Sequence, residues 1–152
     1  MNGHSALTPQ LRRELNWRVL AWSDGPCYHE ANRLAESYRH LLPKPVTNAQ
    51  LNGLRNIAAS ASTLKDMRDF TQNQAGKAER RGDFELRDYW NAVEKALNGL
   101  GDPAGELWRA AGGSTENLPR NKTAPDSLHL RLVREFVQHL LAHSAFMPMQ
   151  QD

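Results

Sequence analysis

The sequence predicts an all-α fold, a single-domain helical bundle of five to seven helices, and three observations carry that expectation. Apolar residues recur every three or four positions along most of the chain, the spacing that gathers them on one face of a helix. Alternating apolar and polar runs, the mark of half-buried strands, are missing. At 152 residues the chain is long enough for one core and short for two, so residues 1–152 are read as one domain.

Each element has a start, a stripe and a stop. Thr8 before Pro9 is an N-cap with proline at the first helical position, and Leu11, Leu15, Val19 and Trp22 follow as one stripe. The run "SDGP" is expected to end this helix. Pro26 then opens a second, with Cys27, Ala31, Leu34, Tyr38 and Leu41 inward, closed by "PKP" at 43–45 because proline lacks the amide and clashes with the preceding turn. Thr47 and Gln50 have capping-box spacing for a third helix carrying Leu51, Leu54, Ile57 and Ala61. Thr63 and Asp66 repeat the cap for a fourth, with Leu64, Met67, Phe70 and Gln74 on one side, and Gly82 with Asp83 marks the next turn. Leu86, Trp90, Val93 and Leu97 define a fifth, and Asp102 with Pro103 opens a short helix to Ala111. "GGSTENLPRNKTAPDS" has no period and reads as a mobile loop over 112–127. The last helix, about 126 to 146, is the most apolar, with Leu132, Val133, Phe136, Val137, Leu140 and Leu141.

Composition narrows the function classes. Hydrophobic residues make up 39% and charged residues 24%, with a mean hydropathy of −0.68, the profile of a globular chain. No apolar run reaches the roughly 20 residues of a spanning helix, and "MNGHSALTPQ" lacks the basic start and apolar middle of a signal peptide. A cytoplasmic protein with no membrane partner is therefore expected, and the sequon at Asn121 carries no meaning without secretion. Cys27 is the sole cysteine, so no disulfide or thiolate metal cluster forms within one chain. A net charge of +2 and a pI near 8.9 are compatible with an anionic partner without demanding one. "GLGDPAG" follows no strand and lacks the P-loop lysine, and no nucleophile elbow appears.

The stretch "TLKDMRDFTQNQAGKAERRGD", residues 63–83, carries the clearest binding signal. At helical spacing Lys65, Arg68, Gln72, Gly76 and Arg80 fall opposite Met67, Gln74 and Ala78, with Lys77 and Arg81 on the flank. Such cations pair with phosphates, amides bond to sugar or base edges, and Gly76 admits a close backbone. Against this, Asp69 and Glu79 share the same face, and alternating charge is the ordinary dress of a solvated face. The candidate nucleic-acid contacts are Arg55, Lys65, Arg68, Lys77, Arg80 and Arg81.

The run "VTNAQLNGLRNIAASASTLKDMRDFTQNQAGKAERRG" followed by "YWNAVEKAL" resembles the small, all-helical, non-catalytic subunits of type III CRISPR effector complexes. Gln50, Leu51 and Leu54 match that family's capped helix, Lys77, Arg80 and Arg81 its basic helix, and Tyr89 with Trp90 its aromatic-bearing one. The resemblance spans residues 47–97. It implies an antiviral-defence subunit stacked along an RNA-guided complex, contacting guide or target strand, RNA or single-stranded DNA, through basic side chains, with no cofactor, metal or catalytic residue of its own.

Two alternatives stay open. "REFVQH" places Arg134 five positions before His139, and "RLAESYRH" places Arg33 before His40, similar to the R-x4-6-H pattern of helical HEPN-type ribonucleases, in which histidine would serve as acid or base and arginine as phosphate clamp. With 14 arginines and 6 histidines, roughly one or two such matches arise by chance. His139 and His143 also sit one turn apart as a zinc pair would, without a third ligand. The other alternative is a protein-only scaffold or adaptor. Trp17 lies off the apolar stripe of its helix, where its ring either anchors another chain or packs under a neighbouring element.

Overall fold

The computed structural model describes the backbone of residues 7–41, 46 and 48–150, with side chains for these except 48 and 146–150. In chain order it forms α1 (Pro9–Trp22), a π turn (Ser23–Cys27), α2 (Tyr28–Ser37), a short 3-10 turn (Arg39–Leu41), α3 (Asn48–Ser60), α4 (Leu64–Arg80), α5 (Phe84–Gly99), α6 (Gly101–Ala110) and α7 (Asp126–Gln150). No strand occurs among the described residues, so the expected all-α bundle is what forms. No helix of the described residues is long and apolar enough to cross a membrane. The proline stop at 43–45 and the Thr47 cap lie outside the described residues.

The caps form where short-range chemistry requires them. Thr8 Oγ1 accepts from the Leu11 amide at 3.1 Å, Asp83 caps α5 through the Leu86 amide at 3.2 Å, and Thr63 with Asp66 makes a complete capping box on α4. Gly82, with φ at +76°, turns α4 into α5 with a conformation that a side chain would disfavour.

The expected break at "SDGP" is not a break. Ser23 and Tyr28 keep right-handed helical dihedrals on either side of it, and the Tyr28 amide reaches the Ser23 carbonyl five residues back. Pro26 can donate nothing and its ring collides with the carbonyl four residues earlier in an α-helix. One widened turn absorbs that conflict, so α1 and α2 run on as one helical path.

α7 is the hub, packing on the π turn, α2, α3, α4 and α6, while α4 and α5 pair lengthwise. Leu132, Val133, Phe136, Val137, Leu140 and Leu141 are buried on it as expected. On α3, Ala58 takes the buried position expected of Ile57, which is half-buried. On α4 the buried positions are Met67, Thr71, Ala75 and Ala78, and the Thr71 hydroxyl is satisfied by the carbonyls of Met67 and Arg68. Leu64, Phe70 and Gln74, expected on the core side, are half-buried. A chain of edge-to-face rings, Tyr38 on Tyr89, Tyr89 on Trp90 and Trp90 on Phe70, crosses from the C-cap of α2 through α5 to α4 at centroid distances of 5.5, 5.1 and 5.8 Å.

The aperiodic segment after α6 is tied down at both ends. Trp108 Nε1 donates to the Ser114 carbonyl at 2.9 Å, and Gly113 lies so close on the Trp108 indole that a Cβ there would collide with it. Gly105 likewise leaves room for Thr123, and Ala124 is buried.

Candidate nucleic-acid interface

The C-terminal half of α4 faces the N-terminal half of α3 across an open cleft of about 510 Å³. Its α4 wall is Phe70, Gln74, Lys77, Arg80 and Arg81, and its α3 wall is Ala49, Gln50 and Gly53. The spacing 70, 74, 77, 81 is a single stripe beside the buried one, which is why these side chains share a direction. Gly53 sets the depth, since a Cβ there would lie 3.3 Å from Phe70 Cζ. Behind the ring stands Trp90 of α5, edge-to-face at 81°.

The electrostatics are one-sided. Lys77, Arg80 and Arg81 are exposed, no carboxylate lines the cleft, and none of the three cations has a side-chain ion pair or hydrogen bond among the described residues. Glu79, the nearest acid in sequence, lies 3.5 Å from Arg87. Lys77 and Arg80 also sit in the last turn of α4, where the helix dipole favours positive charge. That stabilises the helix end and leaves the outward charge uncompensated.

The other sequence-predicted contacts lie elsewhere. Lys65 is paired with Asp69 at 2.7 Å. Arg68, nine residues before Lys77, falls half a turn round the helix, in the crevice toward α5 that also holds Glu94. Gln72 bonds to Glu94 at 3.2 Å on that same side. Arg55 bonds to Asn52 at 3.2 Å and borders a separate groove between α3 and α7. Beside Gly76 the nearest side-chain atom is a nitrogen of the Arg80 guanidinium, 3.4 Å from where a Cβ would stand. The single strip read from the sequence therefore divides, with Lys77, Arg80 and Arg81 on the α3 side and Lys65 and Arg68 outside the cleft.

The ribonuclease-like residues point to different neighbours. Arg134 donates through Nε to the Ala58 carbonyl at 2.8 Å and through a terminal nitrogen to the Ala61 carbonyl at 2.9 Å, closing the end of α3. His139 faces the π turn, with Nε2 2.9 Å from Ser23 Oγ. Arg33 pairs with Glu30 at 3.3 Å, and His40 with Glu85 at 2.9 Å.

A polar cluster around the π turn escaped the sequence reading. Ser23, only 3% exposed, donates its hydroxyl proton to Glu135 at 2.7 Å. A carboxylate only accepts, so His139 must donate to that hydroxyl, the reverse of the wiring that activates a serine nucleophile. Tyr28 lies edge-on to His139 and His143 at 5.6 and 4.7 Å. His143 Nε2 is buried with no hydrogen-bond partner, and burial lowers its pKa. Burial, with Glu135 nearby, pushes the Cys27 thiol up to about 12, which keeps it protonated and inert. The spacing of Glu135, His139 and His143 by four was the available signal. Its partner, Ser23, was hidden by the expectation of a helix break. Among the described residues no three histidine, cysteine or acidic side chains gather to hold a metal ion.

On α1, Trp17 is 72% exposed and Leu20 54%, so the tryptophan is on the surface. Compared with known proteins, the chain matches no family model, no curated protein and no solved structure.

Proposed function

We propose that this chain is a non-catalytic helical subunit of a nucleoprotein assembly that holds the backbone of an RNA or single-stranded DNA through the α3–α4 cleft. The observation that carries the reading is the convergence of Lys77, Arg80 and Arg81 on one cleft with no carboxylate to neutralise them. Guanidinium and ammonium groups in that state recruit phosphate, and contacts of this kind position a strand without reading its bases. The finer form of the proposal is the small subunit of an RNA-guided CRISPR effector complex. It rests on the resemblance over residues 47–97 and on the exposed Trp17 and Leu20, two apolar side chains on the outer side of α1 suited to a neighbouring subunit. Arg134 and His139 are engaged by different elements, which favours the binding reading over the ribonuclease alternative.

The test is binding of single-stranded RNA and DNA to the wild type, to the triple variant Lys77→Glu, Arg80→Glu, Arg81→Glu, and to a control reversing Arg12 and Arg13, two exposed arginines of α1. The triple variant loses affinity for every sequence and the control keeps it. Equal binding by all three proteins makes the strip an ordinary solvated helix face.

A further inference from the structure

The same cleft carries more than charge. Phe70 lines the cleft together with the three cations, half-buried and against Gly53 of α3. The α3 side meets it with Ala49, Gln50 and Gly53, the tip of the ring lying against Gly53, where no side chain intervenes. Trp90, fully buried, backs the ring edge-to-face and fixes its plane. A cleft of about 510 Å³ is within the range of roughly 300–1,000 Å³ that small-molecule sites occupy. A backbone-only surface needs neither a recess nor an aromatic wall.

We infer that the cleft takes one unstacked nucleotide of a single strand, its phosphate held by Lys77, Arg80 and Arg81 and its base laid against Phe70. The inference rests on the nucleic-acid reading above and adds the ligand's form. A base inside a duplex has both faces covered and cannot reach the ring, so the cleft selects single strands. Every base has a π face, so the selection carries little sequence preference. Gln74, at the cleft wall between Phe70 and Lys77, stands where an amide meets a base edge or ribose hydroxyl.

The experiment compares the affinity of the full chain for a short oligodeoxyadenylate, for an abasic oligomer with the same number of phosphates, and for adenosine monophosphate. The wild type binds the base-bearing oligomer about tenfold more tightly than the abasic one, the size of one base–aromatic stack. In Phe70→Leu, which keeps an apolar side chain against Trp90, the two oligomers bind alike while the dependence on salt is unchanged. Equal binding of both oligomers by the wild type overturns the nucleotide site and leaves the backbone reading standing. Mononucleotide binding as tight as that of the oligomer makes the cleft a free-nucleotide site and overturns the strand. Failure of every probe to bind removes both readings. The decisive comparison uses the wild type alone, so it does not depend on the variant folding.

Discussion

His143 is the residue whose surroundings make the clearest demand on solution behaviour. Its half-buried imidazole faces the Tyr28 backbone and ring, His139 and Glu36, and desolvation lowers its pKa below the ordinary 6.5. Below pH 6.5 the unfolded chain takes a proton at this site before the folded chain does. The neutral ring's contribution is therefore complete above that value and is lost as pH falls through the folded pKa. Thermal unfolding at pH 7.5 and pH 5.5 should show lower stability in acid, and His143→Leu should remove part of that difference. An unchanged acid loss in the variant places the titration elsewhere. Tyr89 raises a second point. Its hydroxyl is buried with no partner among the described residues, and burial pushes its pKa upward. An unpaired buried hydroxyl costs stability rather than adding it. Tyr89→Phe is expected to hold or raise the midpoint of urea unfolding, and a loss above about 1 kcal/mol reveals a partner for that oxygen.

At the scale of elements, α7 and α3 are joined by one side chain as well as by packing. The two Arg134 hydrogen bonds end on the Ala58 and Ala61 carbonyls, near the C-terminal end of α3, where helical acceptors have no partner within the helix. Arg134→Met keeps the aliphatic stem and strands those acceptors, and the expected cost is about 1–3 kcal/mol by urea unfolding. Binding of nucleic acid should survive in the folded fraction, since Arg134 is remote from the α3–α4 cleft. Loss of binding with unchanged stability contradicts this assignment. The caps of α1, α4 and α5 show what sequence spacing conveys. Thr8, Thr63 with Asp66, and Asp83 each act within three residues, so their caps were legible. The π turn was not, because proline's rule states that an α-helix cannot continue and is silent on the wider turn that can. The docking of the 112–125 segment was equally invisible, resting on single contacts of Trp108 and Gly105 that no period encodes.

Across the whole molecule, the all-α architecture followed from periodicity, while the site followed only in part. About 100° per residue gives each α4 side chain an azimuth, but not which helix lies along each flank. α5 took the side of Arg68 and Gln72, and α3 took the side of Lys77 and Arg81. That placement separated six predicted contacts into three that converge and three that do not, and it made Phe70 part of the cleft. Arg134 and His139 were parted in the same way, on opposite flanks of α7. The central claim is that the three convergent cations meet phosphates, and phosphate contacts release condensed counterions. The most direct test is the slope of log affinity against log salt for a single-stranded oligomer, in the wild type and in Lys77→Gln, Arg80→Gln, Arg81→Gln. Each lost contact removes about 0.7–0.9 from the slope, so the variant's slope should be shallower by roughly 2 to 3. Identical slopes for the two proteins would contradict the account.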